Sequence, residues 1–563
     1  MFICRLAGRA RIFKRGGTNE EPEAHPRRAR RLNSCVTGAV ALSRRNLTAI
    51  ASVAVIFLLL LFSLPIAVEP RITQRLVNAL GERFDSEVQL ENLTVSLFPR
   101  PRLSGRGLVL RHKRRTDVPP LVTIASFSGE AGLMGLLSDP IRVSNIRLEG
   151  LEINVPPGGL GLKDEPDEPT KPNQPDESGD ADDNDSKTSP LIVRNLQSER
   201  AVLRILRRKP GKAPRIFEIG QLDMKDVGAD HPWPFRANLT NPTPPGRIQT
   251  EGTFGPWQAE EPSQTPLAAS YRFENADLGV FDGIAGILNS SGALKGVLER
   301  IEVDGTTSMP AFALADVGNG MPLETRFHSI VDGTNGNTLL QPVEATLGAT
   351  KIHAAGGVVE REGEDGRTVE LDVVIDAGRL EDILRLAVKG PQPPMTGVMK
   401  LKTTFLLPPG KRDAIQKLRL DGNFSVDRAE FTKAQVQDKV DAFSTKARGV
   451  EDDTPDPVVS NFRGAFTMRD GTIHFSDVTF TMPGARVSVN GRFVMKSEAL
   501  DFRGIVRLDA KLSQLTTGVK SFFLRVVDGL FRHEDITVVP ITIGGTADKP
   551  QVGLDLGKAV KGG

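Results

Sequence analysis

Beyond Val88 the chain runs in short segments in which apolar and polar residues alternate, broken by turn-forming residues. Val88, Leu90, Leu93, Val95 and Leu97 open the pattern; Leu103–Leu110 continues it across a glycine, and Val143–Val155 repeats it. Alternation with a period of two places successive side chains on opposite faces of an extended chain, so each segment predicts a strand with one apolar face. The same signal returns at Ala201–Leu206, Leu371–Ile375, Thr396–Leu407, Leu418–Val426, Phe462–Met468, Val487–Val494 and Phe502–Leu508. The spacing, roughly 8–15 residues, and the 55 glycines and 39 prolines suit strands joined by turns. The predicted fold is mainly β, with few amphipathic helices. One helix is expected over Arg379–Val388, which carries Leu380, Ile383, Leu384 and Ala387 on one face. A second apolar stripe, through Leu515, Val519, Phe522, Phe523, Val526, Val527 and Leu530, suits packing on a sheet or docking on a membrane or partner.

Ahead of this pattern lies Leu47–Val68, LTAIASVAVIFLLLLFSLPIAV, without a charge. At 1.5 Å per residue its 22 residues reach about 33 Å, the thickness of a hydrocarbon layer. Arg27, Arg28, Arg30, Arg31, Arg44 and Arg45 precede it, so the positive-inside rule leaves the N-terminus in the cytoplasm and the rest across the membrane. A cleaved signal peptide is the competing reading; against it, the apolar run is longer than such peptides use and its basic leader is long. Glu69–Phe84 follows with Ile72, Leu76, Val77, Leu80 and Phe84 at helical spacing, a short amphipathic helix leaving the bilayer.

The expected organisation is a basic arm at 1–46, a transmembrane helix at 47–68 and a first β region at 69–162. An acidic loop follows at 163–190, then a middle β region at 191–426 and a C-terminal region at 427–563. The loop, KDEPDEPTKPNQPDESGDADDNDSKTSP, holds ten acidic residues and almost nothing apolar, so it lacks the buried area that offsets ordering entropy. Its Asp180, Asp182, Asp183 and Asp185 lack the glycine and closing glutamate of an EF-hand. Gly305–Leu314 and Gly545–Leu554 share the spacing Gly-Thr-x-x-x-Pro-x-apolar-x-Leu, which a proline-marked turn between two strands explains.

Several function classes lose support. The net charge is +2 and aromatics make up 5% of the chain, so neither a basic field nor stacking platforms favour nucleic acid. The two cysteines, Cys4 and Cys35, both precede the apolar run, so no disulfide framework and no cysteine chemistry is expected beyond it. No G-x-S-x-G, Walker A or H-E-x-x-H motif occurs, and the seven histidines are scattered at positions 25, 112, 231, 328, 353, 474 and 533. No catalytic residue, cofactor or metal ligand is therefore assigned, and the chain is read as a non-enzyme.

Arg75–Gly81 with Gln89–Leu108, Phe327–Gly336 with Leu380–Gly390, and Met482–Gly491 with Leu508–Gln514 and Gly545–Pro550 together resemble the AsmA-like family of bacterial envelope proteins. The acidic insert and the long basic arm depart from that pattern. The resemblance implies an inner-membrane anchor, a periplasmic body, and a front end similar to the chorein-type opening of bridge-like lipid transfer proteins. It further implies a long curled antiparallel sheet whose apolar groove holds phospholipid acyl chains while headgroups stay in water. Lipid is then expected to gain access beside Ile72, Leu76 and Leu80, and Val489 and Phe493 to line the groove. An outer-membrane or periplasmic protein is the expected partner. The competing readings are an assembly factor pairing its edge strands with outer-membrane proteins, and an envelope hydrolase.

Overall fold

The computed structural model describes residues 70–554, except 71, 85, 97–100, 113–117, 133, 136–137, 156–190, 207–212, 259–260, 316–318, 362–363, 365, 448–459 and 509–536. The expected transmembrane helix, the basic arm, the acidic loop at 163–190 and the apolar stripe at 515–530 lie outside the described residues. Among those described, no helix is long and apolar enough to cross a membrane.

A helix over 72–83, α1, leads into the strands. The first eight are β1 (Ser86–Ser96), β2 (Arg102–His112), β3 (Val122–Glu130), β4 (Ile141–Val155), β5 (Leu191–Ile205), β6 (Arg215–Val227), β7 (Trp233–Pro242) and β8 (Pro245–Phe254). The middle holds β9 (Pro266–Asp277), β10 (Ile284–Ala285), β11 (Ile287–Val297), β12 (Arg300–Leu314), β13 (Met321–Val331), β14 (Thr338–Leu347), β15 (Thr350–Glu360) and β16 (Arg367–Arg379). After helix α2 (Leu380–Ala387) come β17 (Met395–Leu407), α3 (Ala414–Lys417), β18 (Arg419–Phe431) and α4 (Ala434–Ala447). The last strands are β19 (Ser460–Arg469), β20 (Thr472–Met482), β21 (Ala485–Val494), β22 (Ala499–Leu508), β23 (Thr537–Gly545) and β24 (Pro550–Leu554).

Twenty-three of these form one sheet that curls into a half-barrel; the two-residue β10 pairs with the end of β12. Neighbours in sequence are neighbours in the sheet, and the pairs are antiparallel except β4 with β5, which runs parallel from Ile141↔Leu191 to Val155↔Ile205. A parallel pair forces the chain to travel back the length of a strand, about 50 Å for 15 residues, and the connection at 156–190 has that task.

Curl follows from contacts between strands that a flat sheet would hold apart. Phe84, ahead of β1, meets Trp257, after β8, with ring centroids 6.0 Å apart. Eight strands side by side at about 4.8 Å would separate those ends by about 34 Å. The backbone N–H of Ala414, between β17 and β18, donates to the carbonyl of Asp282, after β9, at 2.8 Å, across a similar count of strands. Lys433 Nζ, after β18, likewise reaches the carbonyl of Asp548, after β23, at 2.6 Å.

The alternation read from the sequence settles which face is inside. In β12, Ile301, Val303 and Met309 are buried or half-buried, while Asp304, Thr306 and Ser308 between them are exposed. With few helices to cover it, a sheet hides its apolar face chiefly by closing around it. Four packed clusters result. The first joins Ile72 and Leu76 of α1 to Leu93, Val95, Leu103, Phe127, Val143 and others on β1–β7. The second lies on β20–β23 around Val489, Val506, Leu508 and Ile541, with Val440 of α4 against it. The third gathers Val388, Ile415, Met468, Phe493 and Met495, and the fourth packs Ile375, Leu380, Met399, Val426 and Ala429 about α2.

Helix α2 matches the expected Arg379–Val388 segment within a residue at each end. Its start is fixed by Asp382, whose carboxylate accepts from the Ala349 N–H at 3.0 Å and the Thr350 hydroxyl at 2.9 Å. Of the two proline-marked turns expected from the repeat, Gly545–Pro550 does separate β23 from β24, whereas Gly305–Leu314 lies within β12. Pro310 has no N–H for the ladder, and the register shifts between Met309 and Phe312, so an irregularity absorbs it without a turn. The expected boundary at 426/427 falls inside β18, and α4, which the sequence reading did not single out, follows that strand.

Candidate functional site

The four clusters leave an interval. Among the described residues they occupy β1–β7 and the region from β15 to β23, with Leu314 at the end of β12 joining the third. On β8–β14 the apolar face carries Ile248, Phe273, Leu294, Val303, Leu323 and Val343, each neither buried nor fully exposed, while Ile301, Met309, Met321 and Leu347 on the same strands are buried. Glu251, Arg272, Asp304, Glu324, Arg326 and Glu344 stand on the opposite face in water. From β8 to β14 this stretch is about 24 Å long measured across the strands.

A line of hydroxyls crosses it. The phenol of Tyr271 (β9) lies 3.2 Å from the Ser290 hydroxyl (β11), which donates to the Thr306 carbonyl at 3.0 Å; the hydroxyls of Thr307 (β12) and Thr325 (β13) are 2.6 Å apart. Burial raises the Tyr271 phenol above its ordinary pKa, and the bond to Ser290 lowers it in part. Gly305 makes room for this ring, since a Cβ there would stand 2.6 Å from the phenol oxygen and 2.7 Å from Phe327.

At its β8 margin the stretch abuts an aromatic corner. Trp233 of β7 and Phe254 of β8 lie 6.0 Å apart, Phe254 and Trp257 6.4 Å apart, and Phe84 closes on Trp257. Arg83, the last residue of α1, sets its guanidinium 5.8 Å from the Trp233 ring centre, a cation–π distance. The Trp233 indole N–H donates to the Ala229 carbonyl at 2.9 Å. Arg83 Nε and Nη2 and Trp257 Nε1 are buried without a hydrogen-bond partner. Desolvation pulls the Arg83 pKa down, and the charge of Asp230 partly restores it.

The residues expected from the sequence fall as follows. Ile72 (3% exposed) and Leu76 (6%) are packed into the first cluster, and Leu80 lies against it. They seal α1 onto β1–β7. Val489 and Phe493 do point to the apolar face and, at 7% and 9% exposure, pack in the second and third clusters. Among the described residues the half-exposed apolar stretch is on β8–β14, which the sequence reading does not select. Nor did it place Arg83 or the tryptophans, although the chain's two tryptophans, Trp233 and Trp257, both stand in the one corner.

Two hollows lie on the polar face. One of about 820 Å³ is lined by residues such as Arg102, Arg147, Asn195, Lys225 and Glu251, and one of about 940 Å³ by Arg272, Ser291, Thr306, Glu324 and Arg326. Among the described residues no three His, Cys, Asp or Glu side chains gather where they could hold a metal ion. Compared with protein-family profiles, curated proteins and solved structures, the chain finds no match.

Proposed function

We propose that this protein carries or bridges phospholipid toward the outer membrane from an inner-membrane anchor at Leu47–Val68, its apolar face serving as a groove for acyl chains. One observation carries the reading: among the described residues, Ile248, Phe273, Leu294, Val303, Leu323 and Val343 on the apolar face of β8–β14 are half-exposed and belong to no packed cluster, although clusters cover that face on either side. Exposed contiguous apolar surface calls for an occupant. A hydrocarbon chain suits it, since each buried CH₂ contributes about 0.8 kcal/mol and needs no directional contact. The length also fits: one leaflet of a bilayer core is about 15 Å deep, within the stretch of about 24 Å. The resemblance to AsmA-like proteins points the same way and supplies the envelope setting.

Native mass spectrometry of the purified chain tests this. Phospholipid adducts that survive delipidation and can be reloaded are expected. A protein that arrives lipid-free and takes up none when incubated with vesicles sinks the reading. The second reading, pairing with a partner's strand, draws on β24. Among the described residues that strand is paired with β23 alone, and Val552 on it is 66% exposed. Removal of 546–554 that abolishes partner capture but spares lipid uptake favours it.

A further inference from the structure

We propose that the corner formed by Arg83, Trp233, Phe254 and Trp257 is a seat for the phosphate of a diacyl phospholipid whose chains run from β8 onto the open apolar stretch. The proposal rests on the lipid-carrying reading above and adds a recognition site to it.

The first ground is an imbalance of donors. Arg83 Nε–H and Nη2–H and Trp257 Nε1–H are three N–H groups, shielded from water, with no acceptor. Buried polar groups are nearly always paired, so three orphan donors in one corner mark a place where an acceptor belongs. All three can only donate; what they lack is an oxygen, best an anionic one. Phosphate oxygens match the guanidinium edge through two parallel bonds and can take the indole N–H as a third.

The second ground is position. The donors sit on the margin of the surface that would hold the chains: Trp233 and Phe254 are on β7 and β8, and the half-exposed apolar stretch begins at β8. Phe84 joins the two donor-bearing residues, following Arg83 in sequence and meeting the Trp257 ring at 6.0 Å. Arg83 as a whole is only half-buried, so a phosphate held there keeps one side in water. The third ground is charge. Asp230 acts on Arg83 through space and makes no ion pair with it, so the guanidinium keeps its hydrogen-bonding edge free. Beyond the corner the inner face offers hydroxyls and hydrocarbon, as a glycerol ester followed by acyl chains requires.

The test uses the full chain purified in detergent and two lipids with the same acyl chains: phosphatidylglycerol, and diacylglycerol, which lacks the phosphate. Trp257→Phe removes one donor and keeps the ring; Arg83→Met keeps the stem over Trp233 and removes the guanidinium. Each is expected to weaken phosphatidylglycerol binding about tenfold or more, the scale of a hydrogen bond to a charged group, and to leave diacylglycerol unchanged. Arg83→Lys, a point charge without the fork, is expected to recover only part of the loss. Equal weakening of both lipids, or no change in either, overturns the seat while leaving the groove standing. Binding of inorganic phosphate alone, with no preference for the lipid, overturns the assignment to an amphiphile. A wild-type chain that binds neither lipid removes the groove and the seat together.

Discussion

Val303→Asp separates an open apolar surface from a packed one. Val303 lies on the apolar face of β12, opposite Leu294 of β11 and Ser329 of β13, and is half-buried. In the empty protein a carboxylate there still reaches water, and the expected loss of stability is below about 1 kcal/mol, typical of partly exposed substitutions. With an acyl chain laid over it, the same carboxylate faces hydrocarbon. An Asp at the centre of an apolar span costs about 2.5–3.5 kcal/mol, so lipid affinity is expected to fall roughly hundredfold. Val489→Asp is the control. Val489 is 7% exposed among Val478, Val487, Val506 and Ile541, and a charge there is expected to unfold the C-terminal cluster whether lipid is present or not. Lipid occupancy by native mass spectrometry and thermal unfolding by circular dichroism read the two effects on the same samples. Wild-type lipid occupancy in Val303→Asp, or a melting temperature lowered as far as that of Val489→Asp, would refute an open apolar surface at Val303.

Leu508→Ala, at a side chain 1% exposed on β22, is expected to cost about 2–5 kcal/mol and to shift the urea midpoint followed by circular dichroism. Because Trp233 and Trp257 both sit beside the first cluster, the same substitution is expected to leave the tryptophan-fluorescence transition in place; a parallel shift in both signals would show one cooperative core. Glu152 and Arg204 pair across the parallel β4–β5 seam, and the hydrogen bond from Arg204 holds the Glu152 carboxyl below its ordinary 4.5. A lowered folded-state pKa means the pair stabilises above about pH 4.5 and ceases to as pH falls through the lowered value. The expected difference between wild type and Glu152→Gln is therefore under about 1 kcal/mol at neutral pH, for a partly exposed pair, and vanishes in acid. Urea midpoints measured from pH 3 to 7 check it, and a gap that widens in acid contradicts the sign.

The strands were legible because a period of two is imposed by the backbone itself. Val487–Val494 and Phe502–Leu508 lie inside β21 and β22, and Asp421, Asp427 and Glu430 are exposed, as the solvated face of a strand requires. Helix α2 announced itself through Leu380, Ile383 and Leu384. Helix α4 did not, because Asp441, Ser444 and Thr445 are among the residues it buries, and the Ser444 hydroxyl donates to the Pro483 carbonyl. Pro310 misled for a related reason: its lack of an N–H is local, and whether that makes a turn or a bulge depends on the neighbouring strand. The candidate site was harder still. Val303 and Val489 look alike in sequence, each a valine in an alternating run, and only the curl of the sheet decides that one is covered and the other left open. Arg83 carried no signal at all until the tryptophans were brought beside it.

The order of strands has a consequence for how such a chain can be made. Setting β10 aside, each ladder joins a strand to the next one along the chain, from β1–β2 to β23–β24. Most pairings wait for only a short connection, so loop-closure entropy is met in small instalments and the sheet can lengthen one strand at a time from its first hairpin. A chain delivered N-terminus first can thus be knitted as it arrives, each new strand covering the exposed edge of the last. The step from β4 to β5 breaks the hairpin rhythm: there the nascent edge must stay unpaired until 35 further residues, 156–190, have passed.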